Sequence, residues 1–312
     1  MKNCGLVPGL VSVSFRQLPA EEIVRLCAEC GLEAVEWGGD IHVPHGDCAT
    51  AEKVSGLTEA AGLRTAAYGS YYRCGVSAPE EFARVVACAR VLQAPLIRVW
   101  AGDKGSMECA PQQRLAVAAD LKRCVELAGE SGIRVGMEFH CGTLTDSLDS
   151  CLELLDGCPG LCSGWQPSVG REPELCREEI RRLDGRLSTV HAFQWRQAER
   201  LPFADGIPVW RSYLETLAGQ GRPLDILMEF VRNDSPEQLR ADAPVLRRLL
   251  KDGCLETYDV AISGRNRRYY RLTGIGRQTL AAYRAEWIEY KRRIDGILAA
   301  SPEPKEEEYD AE

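Results

Sequence analysis

Two hydrophobic periods alternate along the first 250 residues, and no other feature restricts the fold so strongly. Apolar runs of strand length stand at Gly9–Phe15, Ala34–Trp37, Arg64–Tyr68, Leu96–Ala101, Val135–Phe139, Leu161–Trp165, Leu187–Phe193 and Asp225–Phe230. Between them apolar residues recur three and four apart, most clearly over Pro19–Cys30, Pro79–Leu92, Pro111–Ser131 and Val209–Ala218. That spacing puts them on one helix face. Proline near the first turn (Pro19, Pro79, Pro111, Pro236) loses only an N–H that has no partner there. Gly31, Gly62 and Gly132 follow helices where a left-handed C-cap is needed. Eight strands, each followed by a helix, in roughly 250 residues predict a (β/α)8 TIM barrel. A doubly wound sheet is the alternative, but the Gly-x-Gly-x-x-Gly turn it usually carries does not follow Val11–Phe15. Short, right-handed connections make the strands parallel in both folds, and functional residues belong at their C-terminal ends.

Composition narrows the class further. With 45% hydrophobic and 27% charged residues among 312, the chain has the make-up of an ordinary globular protein. Its apolar runs fall far short of the ~20 residues that cross a bilayer, so no membrane partner is expected. The start, Met1-Lys2-Asn3-Cys4-Gly5-Leu6, enters a strand-like run too short for a signal-peptide core, which points to a cytoplasmic protein. Fourteen cysteines do not read as a disulfide framework in a chain this large. Cys27 and Cys30 form a Cys-x-x-Cys, but inside a helical pattern, where cysteine acts as a small buried hydrophobe.

The histidines and two glutamates carry the chemical signal. The chain has four histidines, and all fall where the barrel's functional face is expected. His42 and His45 follow the second strand, His140 ends the fifth, and His191 lies late in the seventh. Glu138, in Val135-Gly136-Met137-Glu138-Phe139-His140, is a charge inside an apolar strand, and Glu229, in Ile226-Leu227-Met228-Glu229-Phe230-Val231, repeats it on the eighth. Two carboxylates in a barrel mouth are costly without a cation or protons to compensate. Oxygen donors plus an imidazole suit a divalent metal, manganese first, with magnesium, cobalt or zinc as alternatives.

These segments resemble the xylose-isomerase-like barrels grouped as sugar phosphate isomerases and epimerases, which share their fold with ketose 3-epimerases and type IV endonucleases. The matching runs are Val35-Glu36-Trp37-Gly38-Gly39-Asp40-Ile41-His42-Val43-Pro44, Ile97-Arg98-Val99-Trp100-Ala101-Gly102 and Glu138-Phe139-His140. Further matches are Thr143-Leu144-Thr145-Asp146, Trp165-Gln166-Pro167, Val190-His191-Ala192-Phe193 and Met228-Glu229-Phe230. The resemblance implies a metal held by Glu138, His191 and Glu229. It departs on the sixth strand, where Gln166 replaces the family's aspartate. A glutamine oxygen can ligate a hard cation but brings no charge, so weaker binding is expected. The additional His and Asp ligands of the endonucleases are absent from the sequence.

By the same resemblance the reaction is proton transfer beside the carbonyl of a carbohydrate. Glu138 and Glu229 would work on opposite faces, with the metal stabilising the developing negative charge. Trp37, Tyr68, Trp100 and Trp195 are candidates for stacking on sugar C–H faces, with core packing as the alternative. Arg98, His140 and Asp40 are candidate polar contacts. A second reading on the same scaffold is a lyase that cleaves a C-glycoside or dehydrates its substrate, with His140 or His42 as base.

Residues 251–300 differ from the barrel at 1–250. They carry ten basic against six acidic residues, a net of +4, within a chain whose formal net charge is −8. Cys254–Ile262 and Arg267–Leu272 alternate around Ser263-Gly264-Arg265-Asn266, a hairpin pattern. Thr273–Leu298 reads as a long amphipathic helix, and the acidic tail 301–312 as disordered. The run Arg267-Arg268-Tyr269-Tyr270-Arg271-Leu272-Thr273 resembles the second half of a PadR-type winged helix. That resemblance implies nucleic-acid contact through 244–300, with the barrel as a sugar sensor; the alternatives are a packing element, a homodimer through the last helix, or a fusion remnant. The two N-terminal helices of a complete winged helix have no room, because the eighth barrel helix occupies their place.

Overall fold

A computed structural model describes residues 5–252, the strands 255–262 and 265–272, and residues 277, 280, 284 and 287–295. Eight parallel strands close into a barrel in the order β1-β8-β7-β6-β5-β4-β3-β2. They are β1 (Leu6–Val11), β2 (Ala34–Gly38), β3 (Arg64–Arg73), β4 (Leu96–Trp100), β5 (Arg134–Met137), β6 (Cys162–Trp165), β7 (Leu187–Ala192) and β8 (Leu224–Met228). Closure is made by β1, which pairs β2 through Leu10↔Val35 on one side and β8 through Gly9↔Leu227 on the other. The doubly wound alternative is thereby excluded. Around the barrel lie α1 (Ala20–Cys30), α2 (Cys48–Ala60), α3 (Glu81–Val91), α4 (Pro111–Gly129), α5 (Leu148–Gly157), α6 (Pro173–Arg182), α7 (Ile207–Ala218) and α8 (Pro236–Asp252).

Local chemistry sets the boundaries. Helix α1 follows Pro19, has Glu21 and Glu22 in its first turn, and stops at Gly31, whose φ of 65° lets its N–H reach Ala28 O. Acids near the N-terminus and a left-handed glycine after the last turn are the arrangement a helix prefers. The first strand is the main revision of the sequence pattern. It begins at Leu6 and ends at Val11, and Ser12–Phe15 turn into a 3-10 helix instead of continuing as strand. Strand β3 extends five residues beyond the expected Tyr68, to Arg73.

Helix faces and strand faces share one core, with Ile23, Leu26, Val85, Leu121, Ile180, Trp210 and Leu246 buried against the barrel. Burying each such side chain contributes roughly 1.5–3 kcal/mol relative to leaving it in water. Cys27 and Cys30 belong to this core, and burial pushes the Cys27 thiol well up, so they pack as hydrophobes. Among the described residues no helix is long and apolar enough to cross a membrane. After α8 comes an antiparallel hairpin, β9 (Leu255–Ile262) and β10 (Arg265–Leu272), in the register Thr257↔Tyr270. The expected acidic tail at 301–312 and most of the expected last helix lie outside the described residues.

Candidate active site

At the C-terminal mouth of the barrel five charged side chains meet with almost no exposure to water. Glu36 stands mid-strand on β2, Arg98 on β4 and His191 on β7, while Glu138 and Glu229 come one residue after β5 and β8. Their backbones stay in the ladder: Glu138 N–H donates to Val99 O at 2.9 Å and Glu229 N–H to Ala192 O at 3.0 Å. The side chains form a chain of contacts across the barrel. Arg98 donates through Nε to Glu36 Oε1 at 2.5 Å and through its terminal nitrogen to Glu138 Oε2. Trp100 Nε1 donates to the same Glu138 oxygen at 2.6 Å. On the other side His191 Nε2 lies 3.3 Å from Glu36 Oε2, and Nδ1 lies 3.2 Å from Glu229 Oε2.

Room for this network comes from Gly69 on β3. A methyl group there would lie 2.6 Å from the Arg98 guanidinium and 2.7 Å from Glu36 Oε1. Electrostatics then fix the charge states. Burial raises the Glu36 carboxyl, but Arg98 and His191 outweigh it and hold the group at about 2. Burial alone would lower the His191 imidazole, yet Glu229 and Glu36 on its two sides push it up to about 10. Without another cation His191 therefore carries a proton and its charge at neutral pH.

A cavity of about 280 Å³ opens over this floor. Glu138 and Glu229 face it together with His140, Trp100, Tyr71 and Phe230, and Arg16 and Arg200 stand at its rim. His140 stacks on Trp100 with ring centroids 4.7 Å apart, and its Nδ1 is 2.5 Å from Cys141 O, which leaves Nε2 for a ligand. Tyr71 adopts a φ of 55°, an uncommon conformation for a bulky residue. It places its ring 5.1 Å from the Arg98 guanidinium and its hydroxyl 3.0 Å from Arg16. Arg200 comes from a short hairpin, Trp195–Arg196 with Glu199–Arg200, and donates to Asp234 Oδ1 at 2.5 Å.

The donor set of Glu138, Gln166, His191 and Glu229 fits a divalent cation in its chemistry. Gln166 Oε1 and Glu229 Oε2 are both buried and accept no hydrogen bond, the Glu229 oxygen lying at ion-pair distance from His191 but off the line of an N–H. An unpartnered buried carboxylate oxygen is costly, and a cation removes that cost. Glu138 accepts its two hydrogen bonds on Oε2 alone, so Oε1 is free. His191 has Nε2 held by a carboxylate, as ligating histidines commonly do through their second nitrogen. Glu138, His191 and Glu229 do not themselves bring three ligand atoms within 4.8 Å of one another; among the described residues the His, Cys, Asp or Glu atoms that do are those of Cys74, Asp120 and Cys124. There Arg123 already supplies the cation, donating to Asp120 Oδ1 at 2.8 Å and contacting Cys124 Sγ at 3.8 Å.

Several expected site residues lie elsewhere. Trp37 and Tyr68 are fully buried core residues, and the Tyr68 hydroxyl is spent on Val43 O at 2.6 Å, so neither meets a substrate. His42 is no base for this cavity: Ser12 Oγ takes Nδ1 at 3.0 Å, and Nε2 lies 3.3 Å from Leu18 O. His45 is likewise tied to Ser70 O. Arg98 lies beneath the cavity as the clamp on Glu36 and Glu138, instead of contacting substrate. Asp40 pairs with Arg16 outside the cavity lining, and Trp195 packs behind Phe230 at a centroid distance of 5.3 Å. Glu36, Tyr71, Arg16, Arg200 and Phe230 were not singled out by sequence. Glu36 alone had a visible signal, a lone carboxylate in the apolar strand Ala34-Val35-Glu36-Trp37.

Comparison with known proteins bears on both fold and chemistry. The sequence model described as xylose isomerase-like TIM barrel matches residues 24–249. A curated relative, 3-dehydroshikimate dehydratase of Bacillus anthracis, is 28% identical over 155 residues, which cover 47% of this chain and 55% of that protein. The chain thus spans little more than half the length of the curated relative it matches. Among solved structures, the probable 3-DHS dehydratase AsbF involved in petrobactin synthesis, also from Bacillus anthracis, superposes with a TM-score of 0.66 at 21% identity, over 77% of this chain and 98% of that one. D-allulose 3-epimerase from Methylomonas sp. gives 0.61 at 13% identity, over 80% and 99%. The family match ends before the C-terminal hairpin, and the winged-helix resemblance gains no support.

Proposed function

This chain belongs to the xylose isomerase-like TIM barrel family, and from that premise we propose that it is a sugar isomerase or epimerase acting by proton transfer next to a carbonyl. The observation that carries the reading is the pair Glu138 and Glu229. Both line the same cavity at the strand ends, and each keeps a carboxylate oxygen that accepts no hydrogen bond. Glu229 takes a proton from the carbon beside the carbonyl, and Glu138 Oε1 handles the proton on the other side. Arg98 and Trp100 hold the Glu138 carboxylate by its second oxygen, so its orientation does not depend on the substrate. His140 offers Nε2 to a substrate hydroxyl. Trp100, Tyr71 and Phe230 present apolar surface to the C–H side of a sugar and keep water from the reacting carbon. A divalent cation held by Glu138, Gln166, His191 and Glu229 would supply a Lewis acid for the substrate's carbonyl oxygen.

A dehydratase is the second reading, and the position of His140 favours it. Glu138 has one oxygen saturated by a guanidinium and an indole, which weakens it as a base, whereas His140 faces the same cavity with a free nitrogen. The 28%-identical relative is a dehydratase by name. Both readings begin with removal of a proton beside a carbonyl and differ in whether water then leaves. Incubation of the manganese-loaded protein in deuterated water with ketopentoses, ketohexoses and 3-dehydroshikimate separates them. Solvent deuterium next to the carbonyl without loss of a group supports the isomerase. Loss of water supports the dehydratase, and absence of exchange across the whole panel sinks both.

A further inference from the structure

Among the described residues, Glu36 is the most enclosed charge that neither reading uses. It is fully buried, it does not line the cavity, and both of its oxygens are taken, one by Arg98 Nε at 2.5 Å and one near His191 Nε2 at 3.3 Å. Each partner leads to a different wall of the site. His191 leads to Glu229 through Nδ1, and Arg98 leads to Glu138 through its terminal nitrogen. The cavity residues are thus joined in one line, Glu229–His191–Glu36–Arg98–Glu138, with Glu36 at its midpoint.

We propose that Glu36 is the positioning residue of this site: its single carboxylate aims the His191 imidazole with one oxygen and the Arg98 clamp on Glu138 with the other. Three features of the structure support the assignment. Backbone space is kept for the pair, since any side chain at Gly69 would collide with both the Arg98 guanidinium and Glu36 Oε1. A carboxylate with both oxygens engaged and no face on the cavity is badly placed to ligate or to exchange protons with substrate. A ligating histidine whose second nitrogen meets a carboxylate gains a fixed ring orientation and greater basicity.

The inference rests on the cation-binding part of the proposed function, and its test reads metal affinity without any turnover. Free Mn²⁺ is titrated against the whole protein by electron paramagnetic resonance, for wild type, Glu36→Gln, Glu36→Asp and Glu179→Gln. Glu179 is the control, a glutamate buried as deeply and also facing an arginine, but on α6, away from the cavity. Either Glu36 variant should bind Mn²⁺ about 10–100-fold more weakly, while Glu179→Gln should stay near wild type. If Glu36→Gln does not fold, Glu36→Asp, which keeps the charge but falls short in reach, decides. A folded Glu36 variant with unchanged affinity overturns the assignment and leaves the cation site standing. An equal loss in Glu179→Gln would mark a general effect of removing a buried charge and overturns it too. A wild-type protein that binds no Mn²⁺ removes the cation site itself, and the assignment with it.

Discussion

Two glutamates in this barrel are held by the same parts and sit in different worlds. Glu138, at the mouth, takes a hydrogen bond from Trp100 Nε1 and a guanidinium from Arg98. Glu179, on the outer layer, takes one from Trp165 Nε1 at 3.0 Å and lies 2.7 Å from Arg171 Nε. The difference is what stands behind the arginine. Arg98 is buried and continues into Glu36, His191 and Glu229, whereas Arg171 is a third exposed and ends at the surface. A glutamate–tryptophan–arginine triad is therefore no sign of function by itself. It becomes one where further charges converge under a cavity, because a low-dielectric site raises the cost of every unmatched charge.

That contrast breaks first on catalysis. Glu229→Gln keeps the shape of the side chain and removes its charge and basicity, so deuterium exchange into an accepted substrate should fall by about 10²–10⁴-fold. Glu179→Gln should leave it near wild type. Comparable losses in both would erase the distinction between mouth and outer layer.

A pH series on metal-stripped protein reads the next effect. His191 is raised from 6.5 to about 10 in the fold, the burial that would lower it being outweighed by Glu229 and Glu36. A raised imidazole stabilises the fold fully below pH 6.5 and loses that contribution as pH climbs through 10. Relative to His191→Gln, the stripped wild type should lose a few kcal/mol of unfolding free energy between pH 7 and 10, measured by urea denaturation. Parallel pH curves for the two proteins would show that His191 is not charged between its carboxylates. Smaller again is Gln166→Asp. It adds a negative charge to the proposed donor set and should tighten Mn²⁺ binding by about tenfold, read by the same resonance titration, and a weakening would place Gln166 outside the cation's reach.

Much of this was legible in the sequence because two periodicities alternate without interruption. Strands such as Ala34–Gly38 and Leu187–Ala192 lie where an apolar run predicts them. Glu138, His191 and Glu229 lie at the strand ends because a charge in such a run has few other places to go. Aromatic residues misled, since indole and phenol rings fill a core as readily as they meet a sugar. Trp37 and Tyr68 pack inward while Trp100 does face the cavity, and Tyr71, which faces it too, gets there by a positive φ that no residue pattern announces. His42 misled for a related reason, because proximity to the mouth says nothing of whether Ser12 and Leu18 already occupy its nitrogens. Arg200 reaches the rim only through a hairpin between β7 and α7, too short to leave a strand pattern.

The outer-layer glutamate yields the smallest effect and the least intuitive sign. Burial raises the Glu179 carboxyl above its ordinary 4.5, and the Trp165 hydrogen bond and Arg171 only partly oppose it. A carboxyl raised by folding contributes its stability below pH 4.5 and loses it as pH rises through the folded value, so at neutral pH the charge works against the fold. An amide of the same shape keeps an acceptor for Trp165 Nε1 and carries no charge to desolvate. Arg171, partly in water, loses little when its partner becomes neutral. Glu179→Gln should therefore be as stable as wild type or up to about 1 kcal/mol more stable at pH 7, with the gain gone by pH 4. Urea denaturation at the two pH values measures it. A clear loss at pH 7 would mean that the Arg171 pair outweighs burial, and Glu179 would then hold its arginine as firmly as Glu138 holds Arg98.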